Sequence, residues 1–117
     1  MKYTSISHIE NLKTNGEKFS CITAYDATFS RIISEVGAET ILVGDSLGMV
    51  LQGHDSTIPV TIADMAYHTR CVCRGNPESL VIADLPFMSY TTAAQAMESA
   101  TQLMQAGAAM LWGKRNQ

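Results

Sequence analysis

A chain of 117 residues suffices for one domain that buries roughly two thirds of the surface its unfolded form exposes, and a single domain is the expectation. Apolar residues at 46%, charged residues at 16% and a mean hydropathy of +0.05 exclude both disorder and a membrane span. Eight Lys and Arg against eleven Asp and Glu give a net charge of −3, so nothing electrostatic favours a nucleic-acid partner.

The first residues, MKYTSISHIENLKTNGEKF, are charged throughout and lack the apolar run of a secretory signal, which sets a cytoplasmic expectation. A first helix is expected from Ser7, with Glu10 completing a capping box and Ile9 and Leu12 following, as far as Gly16. The run FSCIT, Phe19 to Thr23, reads as the first strand, and AYD leads into a helix whose Phe29, Ile32, Ile33 and Val36 share one face before Gly37. TILVG from Thr40 reads as a buried strand that ends in the segment Gly44, Asp45, Ser46, Leu47, Gly48. After a long loop, Thr61 and Asp64 form a capping box for a helix through Met65, His68, Val72 and Arg74, closed by Gly75 and Pro77. SLVIA is the third strand and delivers Asp84. Thr92 and Gln95 cap a helix carrying Ala96, Ala100, Leu103 and Met104 to Gly107, and a fourth strand runs from Ala108 through Met110 to Trp112.

Four strands joined by helix-length crossovers imply parallel neighbours and an α/β fold. Two architectures fit. One is half of a (β/α)₈ barrel, whose complete form needs about 250 residues; the other is a small doubly wound sheet.

Asp45 and Asp84 each fall at the carboxyl end of a strand, where ligands bind in both architectures, and a carboxylate pair suits Mg²⁺, which keeps several waters. The plainer reading of each is a loop Asp that caps a turn. GDSLG matches neither the GxGxxG nor the P-loop pattern. His54 beside Asp55 resembles an acid/base pair but more simply serves turn hydrogen bonding, and His68 beside Tyr67 fits a packing role. Met65, Met97, Met104 and Met110 read as core filler, and Cys21, Cys71 and Cys73, odd in number and without a CxxC pair, as buried or half-buried small hydrophobes.

The stretch VGDSLGMVLQGHDSTIPVTIADMAYHTR from Val43, RG at Arg74, DLPFMSY from Asp84 and ITAYD from Ile22 closely resembles the ketopantoate hydroxymethyltransferase family, in uninterrupted register from about Lys2 to Met110. The resemblance implies a (β/α)₈ barrel of which residues 1–117, one truncated domain, supply strands one to four. It implies Mg²⁺-assisted transfer of a hydroxymethyl group from 5,10-methylenetetrahydrofolate to 3-methyl-2-oxobutanoate, giving ketopantoate for pantothenate biosynthesis. By position, Asp45 and Asp84 match the family's metal ligands, and Asp45, Ser46 and Asp84 match residues that contact the keto acid.

Residues 111–117 depart from the family pattern: Trp112 and Lys114 stand where a substrate Lys and a metal-linked Glu are expected, and the family's general base falls beyond Gln117. The sequence therefore reads as a frameshifted, mis-spliced or truncated transferase, inactive alone, from a family that resembles a homo-oligomer. The competing readings are a small doubly wound regulatory module that binds Mg²⁺, similar to a receiver domain, and an inactive fragment that associates with full-length subunits.

Overall fold

The computed structural model describes residues 4–75 and 77–113. In chain order the elements are α1 (Ile6–Thr14), β1 (Cys21–Thr23), α2 (Ala27–Glu35), β2 (Thr40–Val43), α3 (Leu47–Val50), α4 (Ile62–Arg74), β3 (Leu80–Asp84), α5 (Ala93–Gln105) and β4 (Met110–Trp112). Lys114 and the rest of 114–117 lie outside the described residues.

All strand pairs are parallel, and the order in the sheet, β1-β2-β3-β4, is the order in the chain. That order decides between the two architectures. A doubly wound sheet reverses its winding at a switch point and so breaks sequential order, whereas a barrel adds each strand beside the last. The chain is four strands of a (β/α)₈-type barrel.

Strand alternation divides the residues between two faces. Ile41, Val43, Val81 and Ala83 are buried and join Met65, Val72 and Leu103 from α4 and α5 in the core. On the other face, Thr40, Leu42, Leu80, Ile82, Met110 and Trp112 line a largely apolar groove of about 740 Å³, with Ile9 and Lys13 of α1 also at its wall.

Local signals account for most helix ends. The capping box at Thr61 forms in both directions: Asp64 N–H donates to Thr61 Oγ1 and Thr61 N–H donates to the Asp64 carboxylate, both at 3.0 Å. The bond from the Thr61 N–H holds the Asp64 carboxyl below the usual range. α5 ends at Gly107, whose N–H donates to Met104 O while Ala108 N–H donates to Leu103 O, the double bond pattern of a Schellman motif; α1 and α2 end in the same pattern at Gly16 and Gly37.

Several expectations are corrected. The N-cap of α1 is Ser5, whose hydroxyl accepts from His8 N–H, and not Ser7, because Ser5 has the extended backbone that a cap requires. β1 covers only Cys21–Thr23 and is exposed, since it is an edge strand of the described sheet, paired with β2 alone, with Cys21 at the open groove. On α2 the helical spacing holds but the stripe is not uniformly buried: Ile33 is buried with Ser30, while Phe29, Ile32 and Val36 are exposed. Periodicity marks a stripe and is silent on which part meets the sheet. The segment read as a long loop contains α3, and β4 begins at Met110, two residues after Ala108. At α5, Thr92 caps as expected, but the Gln95 side chain accepts from Thr91 N–H, one residue away from a true box. Met65 is core filler; Met97, Met104 and Met110 are exposed, as is Cys21, while Cys71 and Cys73 are half-buried. Burial pushes the Cys73 thiol pKa up.

Thr69 on α4 is fully buried and its Oγ1 has no hydrogen-bond partner among the described residues. Thr69→Val removes that hydroxyl at nearly constant shape and is expected to raise stability by about 1 kcal/mol, seen as a higher urea midpoint at unchanged slope. An unchanged or lower midpoint contradicts it.

Candidate functional site

The carboxyl ends of β1, β2 and β3 bring Tyr25, Asp45, Ser46 and Asp84 to one rim of the sheet. Asp84 is the last residue of β3, and Asp45 stands two residues beyond β2. β2 and β3 are direct neighbours with Val43 opposite Ala83, so strand pairing alone carries both acids to the same level.

Asp45 N–H donates to Asp84 Oδ2 at 2.9 Å. This bond ties the β2 loop to the end of β3. Both residues are almost completely buried, at 5% and 6% exposure, a costly setting for carboxylates that ordinary turn-capping does not require. Gly44 makes the approach possible: a Cβ there would stand 3.2 Å from Ser46 Oγ and 3.4 Å from Asp84 Oδ2. Gly48 likewise meets the Val60 side chain. The two glycines of GDSLG thus serve close packing, which explains why the segment fits no phosphate-cradling pattern.

Ser46 Oγ is hydrogen-bonded to the Tyr25 hydroxyl at 2.8 Å. His68 Nδ1 donates to the Tyr25 carbonyl at 2.9 Å, and its ring meets the Tyr25 ring edge-on with centroids 6.5 Å apart and the Tyr67 ring at 5.1 Å. The packing role expected of His68 is what the structure gives it, but that role reaches the site through Tyr25. Sequence reading passed over Tyr25. The signal was present, because Tyr25 stands two residues beyond β1 as Asp45 does beyond β2.

His54 and Asp55 are both exposed in the loop after α3, where the His54 N–H donates to Gly48 O. Trp112 enters through β4, where its carbonyl accepts from Leu85 N–H and its side chain lines the groove with Asp84. In the loop beyond Asp84, Met88 adopts φ +63°, the left-handed region that favours glycine.

Two carboxylates and a hydroxyl form an all-oxygen set, the chemistry a hard divalent cation prefers. Among the described residues no group of three His, Cys, Asp or Glu gathers closely enough to hold a metal. The set therefore fits an ion that takes one or two carboxylates and keeps water, and does not fit a closed structural site of the zinc kind. No helix among the described residues is long and apolar enough to cross a membrane.

A family model described as ketopantoate hydroxymethyltransferase matches residues 3–112. The 3-methyl-2-oxobutanoate hydroxymethyltransferase of Sodalis glossinidius is 60% identical over 108 residues, covering 92% of this chain and 41% of the relative. The protein of the same name from Colwellia psychrerythraea is 62% identical over 101 residues, covering 86% and 38%. The chain thus spans about 40% of the length of the curated relatives it matches. Among solved structures, oxaloacetate acetylhydrolase superposes with a TM-score of 0.70 at 16% identity, covering 95% of this chain and 40% of that one. A 2,3-dimethylmalate lyase of the PEP mutase/isocitrate lyase superfamily gives 0.68 at 19%, covering 95% and 38%. At such identities these two speak to the fold alone.

Proposed function

Because the chain belongs to the ketopantoate hydroxymethyltransferase family, we propose that its rim binds 3-methyl-2-oxobutanoate through Asp45, Ser46 and Asp84, with Mg²⁺ held by Asp45 and Asp84. The reaction served is transfer of a hydroxymethyl group from 5,10-methylenetetrahydrofolate to give ketopantoate, a cytoplasmic step of pantothenate biosynthesis. The observation that carries the reading is the Asp45 N–H bond to Asp84 Oδ2, which joins two buried acids at neighbouring strand ends.

The chain's own residues make three contributions. Asp84 fixes the loop after β2 through the Asp45 N–H, so the Asp84 carboxylate and the Asp45 backbone are placed before ligand arrives and less ordering remains to be done on binding. Ser46 adds an O–H that can donate to an anionic oxygen of the keto acid. Burial of both aspartates keeps competing water scarce and strengthens electrostatic interaction with a bound cation. When bound, the cation supplies positive charge beside the keto group and so favours loss of the proton on the adjacent carbon.

Homo-oligomeric assembly belongs to the same reading, supported by the exposed Phe29, Ile32 and Val36 stripe of α2. Calorimetric titration of the chain with 3-methyl-2-oxobutanoate, with and without Mg²⁺, tests the binding. Saturable binding that requires the cation is expected. Absence of binding in both conditions, by a chain whose circular dichroism shows it folded, overturns the proposal.

A further inference from the structure

We propose that Tyr25 is a positioning residue for the keto-acid site, acting through Ser46; the inference rests on the binding role proposed above for Ser46. Ser46 stands just before α3 with helical backbone, φ −57° and ψ −13°, so it lacks the extended conformation of a capping serine and makes no side-chain bond to that helix. Its Oγ meets the Tyr25 hydroxyl instead, across 21 residues of sequence.

Either hydroxyl can donate at this distance; we take the phenol, the more acidic of the two, as the donor and the Ser46 oxygen as the acceptor. The Ser46 proton is then left to point at a ligand oxygen. A hydroxyl that accepts one hydrogen bond donates a stronger one, so Tyr25 both orients and polarises Ser46. The donor is itself braced, since His68 Nδ1 holds the Tyr25 carbonyl and its ring packs edge-on against the Tyr25 ring. Half-burial of Tyr25 limits competition from water for the bond.

A double-mutant cycle on the full chain decides the matter, using 3-methyl-2-oxobutanoate with saturating Mg²⁺ as the titrant. Tyr25→Phe keeps the ring against His68 and removes only the hydroxyl. It is expected to weaken keto-acid binding about fivefold, the ratio for one hydrogen bond of about 1 kcal/mol. Ser46→Ala is expected to weaken it about tenfold. The double variant should match Ser46→Ala within about twofold, because Tyr25 has no route to the ligand once Ser46 is gone. Affinity for Mg²⁺ alone should stay unchanged in Tyr25→Phe, a result that a merely structural role would not give.

Independent losses that multiply in the double variant overturn the inference, as does an unchanged keto-acid affinity in Tyr25→Phe. A parallel fall in Mg²⁺ affinity and melting temperature also overturns it, in favour of a structural role. Asp84→Asn separates this outcome from failure of the underlying reading. Binding that Asp84→Asn abolishes and Tyr25→Phe leaves intact removes only the inference, whereas a wild-type chain that binds no keto acid removes both.

Discussion

Asp84→Asn is expected to lower Mg²⁺-dependent binding of 3-methyl-2-oxobutanoate at least about 100-fold while leaving the fold intact. Even an outer partner of a metal site typically contributes 10- to 100-fold, and Asp84 is proposed as a direct ligand. Asn retains an amide oxygen that can still accept from the Asp45 N–H, so the loop after β2 keeps that anchor while the charge is lost and the second oxygen becomes an NH2 donor. Asp84→Ala removes the acceptor as well. The Asp45 N–H then loses that buried partner, and stability is expected to fall by about 1 to 3 kcal/mol. Calorimetry with Mg²⁺ and keto acid, alongside thermal unfolding, separates the two terms. Equal affinity in wild type and Asp84→Asn would falsify the metal assignment, and equal stability of the Ala and Asn variants would deny the loop anchor.

The parts of this fold that the sequence disclosed are those governed by a few adjacent residues. The Thr61 and Asp64 box, the apolar runs of β2 and β3, and the glycines that stop α1, α2 and α5 each act within one turn or one strand. Their physics is local. The alternation of such elements was enough to give the α/β class, but sequential strand order, the fact that selects the barrel, is a property of the assembled sheet. The misreadings share this origin. Phe29, Ile32 and Val36 repeat at helical spacing, yet the side of α2 that meets α4 is set by Ser30, whose hydroxyl donates to Val72 O at 2.7 Å. In FSCIT, Phe19 and Cys21 line the groove rather than the core, and apolar character does not tell the two apart. At the rim, the strand-end rule located Asp45 and Asp84 and applies equally to Tyr25, but an uncharged residue there shows its role only through the bond to Ser46 across two strand ends.

Gly107→Ala is expected to destabilise the chain by about 2 to 4 kcal/mol, well beyond the effect of the same substitution at Gly37. Both glycines follow a helix at positive φ, +117° at Gly107 and +91° at Gly37, and both donate to the Schellman carbonyls of the preceding turn. An L-residue forced into left-handed backbone costs roughly 1 to 2 kcal/mol, and Gly37→Ala meets that strain alone, since a Cβ there would touch nothing within 4 Å. At Gly107 a second cost is added. The new Cβ would lie 2.6 Å from Cys73 Sγ and 3.0 Å from Cys73 Cβ. Rotating the Cys73 side chain can move the sulfur, but Cβ is fixed to the α4 backbone, so α4 and α5 must separate. Those helices share Met65, Val72 and Leu103 in the core, and spreading them opens space that close-packed side chains cannot refill. Cys73→Ala removes the sulfur and leaves Cβ, so in its background the Gly107→Ala cost should shrink only in part. Urea unfolding of Gly37→Ala, Gly107→Ala, Cys73→Ala and the Cys73→Ala, Gly107→Ala double variant measures both terms. Equal losses at Gly37 and Gly107 would show that backbone strain is the whole effect and that the helices tolerate the added methyl.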